Sequence, residues 1–118
     1  MKIVIKVTKS FERQAKPLLK KYPSLKDELL LLQDKLCENH KFGISIGHNI
    51  YKIRLSVKSK GKGKSAGLRV ISFLDSNIVG YFAYGEKSNI LYLIAIYDKS
   101  ETGSISNKNL RDFISKIS

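Results

Sequence analysis

Lys52 and Arg54 stand two apart in "IYKIRLSVK", and Arg69 opens the run "LRVISFL" after the loop "SKGKGKSAG". Cations two apart on a strand leave it on the same side, and a following strand joined through a hairpin loop sets Arg69 beside them. Lys58, Lys60, Lys62 and Lys64 line the connection. Between Glu38 and Asp75 there is no carboxylate, while these seven cations and Lys41 all fall there, with half of the ten acids on either side. A merely solvated surface mixes signs, so the segregation predicts an anion-binding face. The plain alternative is a soluble basic hairpin, since lysines are common on strand edges.

What chemistry would such a face perform? "GKGKS" invites comparison with a P-loop, but five residues before Gly63 stands Lys58, where that motif requires glycine, and a strand rather than a helix follows Ser65. Gly61, Gly63 and Gly67 instead let a hairpin loop bend while its N–H groups and lysines approach a phosphate chain. His40 and His48 have no cysteine or carboxylate cluster near them, so neither a metal nor a cofactor is expected. One reaction suits clustered cations without acids or metals. RNA is cut by its own 2′-hydroxyl when a group removes that proton, another steadies the charge on the phosphate, and a third protonates the departing 5′-oxygen. Crowded lysines lower one another's pKa, which fits one of them for the base; arginine stays protonated and suits the phosphate clamp.

The elements that must carry these groups are legible from periodicity. "KIVIKV" alternates as an edge strand, with lysines on its outer side. From Ser10 to Tyr22, Phe11, Ala15, Leu18 and Leu19 recur at helical spacing, with Pro17 as an imperfection. Pro23 stops this helix, and Ser24 with Asp27 predicts a capping box for a second one bearing Leu25, Leu29, Leu32 and Leu36. The pair reads as an αα-hairpin. Cys37, the one cysteine, is expected to be buried or half-buried in that second helix. In "IYKIRLSVK" the face with Tyr51, Ile53, Leu55 and Val57 is core, opposite Lys52 and Arg54, and neither Arg54 nor Arg69 is expected to belong to an apolar face. "LRVISFL", "IVGYFAY" and "ILYLIAIYDK" supply further strands, the last a buried one. "SNKNLRDFISKI" ends the chain as a helix capped by Ser106. The reading is one α+β domain over residues 1–118, a small antiparallel sheet with an N-terminal α-hairpin and a C-terminal helix.

Composition narrows the partners. The net charge is +12 with 42% apolar residues, which predicts a packed domain that attracts nucleic acid, an acidic membrane or an acidic protein segment. The longest apolar stretch is far short of the ~20 residues of a spanning helix, and "MKIVIKVTKS" has no continuous apolar core or cleavage site of a signal peptide. A cytoplasmic location without a membrane partner is expected.

"NIYKIRLSVKSKGKGKSAGLRVI", followed by "LYLIAIYDKSETGSISNKNL", resembles the RelE/HigB family of toxin–antitoxin ribonucleases. The shared pattern is K-x-R, a G-K-S-G-G-like loop, an arginine opening the next strand and Y-x-K closing the last. The resemblance runs over nearly the whole chain, including "KKYPSL", with Ala66 where the loop usually has glycine. It implies a RelE-like fold and a metal-independent endoribonuclease that cleaves mRNA, typically in the ribosomal A site. It also implies a cognate antitoxin, in the HigB branch commonly a helix-turn-helix repressor (HigA-like). Carried over by position, it points to Lys52, Arg54, Arg69 and Lys99 as catalytic groups, then to Lys64 and Tyr97, with Lys58, Lys60 and Lys62 as RNA contacts. RelE carries a base-stacking tyrosine near its C-terminal end and "SISNKNLRDF" offers none, so Tyr97 stands as the substitute or as a plain strand aromatic. The alternatives are a noncatalytic RNA- or ribosome-binding domain of the same fold and a basic domain that binds an acidic protein.

Overall fold

The computed structural model describes residues 2–60, 67–75, 88–102 and 105–117. Strand β1 (Lys2–Val7) leads into helices α1 (Lys9–Lys21) and α2 (Leu25–Glu38), then come β2 (Ile44–Ser45), β3 (Ile50–Leu55), β4 (Leu68–Asp75) and β5 (Ser88–Asp98). A short helix α3 (Lys99–Thr102) and helix α4 (Asn107–Ser115) follow. The expected strand over 78–84 lies outside the described residues. The fold is α+β with a five-stranded sheet of order β1-β5-β4-β3-β2.

The sheet is mixed, not wholly antiparallel as the sequence suggested: three pairings are antiparallel, but β1 pairs with β5 in parallel, Lys2 opposite Ser88 through Val7 opposite Leu93. Hydrophobic period gives a strand its faces but not the direction of its neighbour. Since β3, β4 and β5 reverse at each step, β5 runs as β3 does, and the helix pair returns the chain so that β1 shares that sense. The edge position of β1 agrees with its lysines.

Thr8 caps α1, its Oγ1 accepting from the Phe11 N–H at 3.2 Å, and Pro17 sits inside the helix without ending it. In α2, Leu25, Leu32 and Leu36 are buried and Leu29 half-buried, as their spacing requires. Two expectations for this helix fail. Ser24 makes no capping bond; its hydroxyl donates to Glu28 Oε1 at 2.9 Å instead. Cys37 is exposed, because it falls one position past the buried Leu36 and turns about 100° away from the core stripe. Leu19, placed in the apolar set of α1, is 40% exposed. At the other end Ser106 caps α4 as expected, accepting from the Asn109 N–H at 3.2 Å.

The sheet has a core on both faces. Under α1 and α2 lie Ile53, Leu55, Val57, Leu68, Val70, Leu91, Leu93 and Ile96. On the other face Ile50, Ile71, Ile94, Ala95 and Tyr97 pack with Leu110 of α4. A bulge sets the second group: Ile71 pairs with Ala95 but Ser72 with Leu93, so Ile94 is an extra residue. Ile94 and Ala95 then face the same side, and everything after them on β5 changes phase. Beyond Leu93, where β1 ends, α1 supplies the missing partners of β5: Ser10 Oγ donates to the Ile94 carbonyl at 2.8 Å, and the Ile96 N–H donates to Gln14 Oε1 at 3.0 Å. No described helix is long and apolar enough to cross a membrane.

Candidate functional site

Antiparallel register brings the predicted residues into one row across three strands. Arg54 on β3 is directly opposite Arg69 on β4, which is directly opposite Tyr97 on β5. Directly opposed residues share a face and lie within contact range. The bulge at Ile94 puts Tyr97 in this row; strict alternation from Leu91 and Leu93 would have turned it toward α1. In the next row of the same face Lys52 is opposite Ile71. The hairpin that places Lys52 turns through Gly47, His48 and Asn49, all at positive φ (94°, 54° and 62°).

Exposure grades the row. Arg54 is exposed and Lys52 half-buried, while Arg69 is only 4% and Tyr97 only 6% exposed. The expectation that Arg69 stands clear of any apolar face is therefore wrong, because α4 and the second cluster cover that side of the sheet. Arg69 Nη1 donates to its neighbour's carbonyl, Leu68 O, at a long 3.4 Å. No carboxylate pairs with it among the described residues. Burial pushes the Tyr97 phenol above its ordinary pKa, and the Arg69 guanidinium only partly offsets this. Tyr97 is thus a protonated group beside a fixed positive charge, able to donate. Gly67 permits the close β3–β4 approach here, since a Cβ on it would lie 2.6 Å from the Leu55 carbonyl oxygen and 3.8 Å from Arg69 Nη1.

Lys99 is exposed at the first position of α3, at the same end of the sheet as Arg54. Lys58 is exposed in a 3-10 turn over Lys58–Lys60. Lys62 and Lys64 lie outside the described residues. Lys60 has another employment: its Nζ is 3.4 Å from Asp98 Oδ2. It faces the side of the sheet that carries α1 and α2, away from the arginine row.

Asp98 is the residue that sequence reasoning passed over. Only 3% exposed, it accepts from Tyr22 Oη at 3.3 Å, from Ser100 Oγ at 2.7 Å and from the Ser100 N–H at 3.0 Å. Burial raises its pKa, but the Ser100 bonds and the Lys60 ammonium together outweigh that and hold the carboxyl below its ordinary value. The lone acid ending the apolar run "ILYLIAIYD" was a usable signal. A second anchor holds the turn to the start of α2: the Lys58 N–H donates to Glu28 Oε2 at 2.8 Å, the Ser59 N–H to Ser24 Oγ at 3.0 Å, and the Ser24 N–H to Ser59 Oγ at 3.2 Å. The shoulder of the basic loop is thus fixed to both α2 and β5.

Among the described residues no three His, Cys, Asp or Glu side chains cluster as metal ligands would. No family model, curated protein or solved structure matches the chain.

Proposed function

We propose that this chain is a metal-independent endoribonuclease, the toxin of a type II toxin–antitoxin pair similar to RelE and HigB, acting on mRNA at the ribosome. The observation that carries the reading is Arg69: a buried guanidinium with no carboxylate beside it among the described residues, directly opposite a second arginine. Like charges facing one another across a ladder are destabilising, and a buried unpaired cation more so. Such a pair makes sense where an anion completes it. A phosphate seated on Arg54 and Arg69 supplies the missing charge. The 2′-oxygen of the preceding ribose attacks phosphorus, its proton passing to a lysine of the cluster, Lys52 or Lys99, in its neutral amine form. The P–O5′ bond breaks, and Tyr97 gives its proton to the departing oxygen. The products end in a 2′,3′-cyclic phosphate and a 5′-hydroxyl.

A specific observation favours a second reading, a noncatalytic RNA- or ribosome-binding domain: Arg69 and Tyr97 have little surface through which to meet a substrate. Incubation with translating ribosomes, with primer extension and end-group analysis of the message, separates the two. Cleavage with cyclic phosphate ends is expected, reduced on the order of 10²–10³-fold by Arg54→Ala. Ribosome binding without any cut would select the second reading. Cleavage undiminished in an Arg54→Ala, Arg69→Met double variant would remove this site from both.

A further inference from the structure

Between β1, α1 and the end of α4 lies a cleft that no part of this reading uses. It has a volume of about 440 Å3 and is lined by Lys6 from β1, Lys9 and Arg13 from α1, Lys116 after α4, and the rings of Tyr92 and Phe113. Among the described residues no carboxylate lines it. Lys9, Arg13 and Lys116 are exposed, and among the described residues their side chains make no ion pair or hydrogen bond. A second cleft of about 400 Å3 shares Phe113 with it and is lined also by Pro17 and Lys21 of α1 and by Tyr97. Asp98, the acid in its lining among the described residues, is already held by Lys60 and Ser100. Along α1 the wall residues Lys9, Arg13, Pro17 and Lys21 recur every fourth position, a stripe that runs about 18 Å along the helix and turns by about 40° at each step.

We propose that this groove binds a run of single-stranded RNA, its phosphates on Lys9, Arg13 and Lys116 and its bases against Tyr92 and Phe113, and leads the strand to Tyr97. Cations from two elements, Lys9 and Arg13 on α1 and Lys116 after α4, together with aromatic rings in the same lining form the combination that holds single strands without reading sequence. Tyr92 already stacks on Phe73 at 6.4 Å between ring centroids, and an acidic peptide would satisfy the cations but offer no further stacking to that pair or to Phe113. The proposal rests on RNA being the ligand of the arginine row, and it adds a second, separate segment of contact.

The test uses the full chain and fluorescent oligouridylates of roughly four and twelve nucleotides, spanning common single-strand site sizes. Binding is measured at several salt concentrations for the unmodified chain, for Arg54→Ala, and for a Lys9→Ala, Arg13→Ala, Lys116→Ala variant. The groove variant is expected to bind the short oligomer as the unmodified chain does and to lose the extra affinity of the long one. Its salt slope on the long oligomer should flatten by about 0.7 per lost phosphate contact, about 2 in all. Ultraviolet crosslinking of a 5-iodouridine strand should reach Tyr92 or Phe113, which keeps the test independent of any folding defect in the variant. Equal binding of both lengths by the groove variant and the unmodified chain, with Arg54→Ala still impaired, overturns the groove alone. Absence of RNA binding by the unmodified chain overturns both proposals. A poly-glutamate peptide that occupies the groove and is not displaced by the long oligomer assigns it to a protein partner instead.

Discussion

Arg69 puts two demands on one residue that chemistry usually separates. Its side chain is buried, and nothing carboxylic stands beside it among the described residues. Replacing such a charge with an apolar group of similar volume is often neutral or stabilising, whereas a charge retained for packing would be missed. Arg69→Met is therefore expected to leave the melting temperature unchanged or raised while abolishing cleavage, with both read on the same preparation. A large loss of stability would mean that the guanidinium serves the fold. Strand alternation was enough to bring Arg54 and Arg69 together, because period 2 fixes the face and a hairpin loop fixes the neighbour. The same alternation gave no warning of Arg69's burial, which depends on α4 arriving from some forty residues further along the chain. Tyr97 was legible only as a candidate. Its face is decided by the bulge at Ile94, and one inserted residue leaves no compositional mark in an apolar strand.

At the level of elements, the turn at Lys58–Lys60 and the end of β5 form one unit through Asp98. Removing one member of a buried pair leaves the other charge stranded, commonly at 3–5 kcal/mol, whereas removing both costs less. Lys60→Ala is accordingly predicted to destabilise the chain by about 3 kcal/mol, and Asp98→Asn added to it should restore part of that, as denaturant midpoints would reveal. Failure of the second change to help would show that Ser100 and Tyr22 alone suffice for Asp98. Acidity provides an independent check. The Asp98 carboxyl titrates lower in the folded chain than its unfolded value of about 3.9. Its stabilising contribution is thus complete above that value and is lost as pH falls through the folded one. The melting temperature of the unmodified chain should drop over this acidic window, and Asp98→Asn should remove that part of the drop. Lysines in the loop suggest one continuous phosphate face; the fold takes Lys60 out of it, since Lys60 turns to the side of α1 and α2 to meet an acid 38 residues away in sequence. Charge segregation along the chain does not specify which side of a sheet each charge will take.

For the molecule as a whole, β1 determines whether the sheet has a protected centre. β5 is the most apolar strand, with Leu91, Leu93, Ile94, Ala95 and Ile96 at most 1% exposed, and β4 covers only one of its edges. Six residues of β1 pair along the other edge, with Ile3 and Ile5 packed on the core beneath α1 and α2. The sequence revealed the strand and its edge position through the alternation of "KIVIKV", while its parallel sense depends on the path of the helix pair. A chain of this size folds with a small surplus of stability, so uncovering its central strand removes more than the margin allows. Deleting residues 1–7 should abolish cooperative unfolding, seen as a broad thermal transition, loss of near-ultraviolet circular dichroism and binding of a hydrophobic dye. Ile5→Lys, which keeps the backbone pairing but places a charge in the first cluster, should shift the transition downward without removing it. If the shortened chain melts as sharply and as late as the full one, β5 does not need β1, and the sheet's stability lies in the three antiparallel pairings alone.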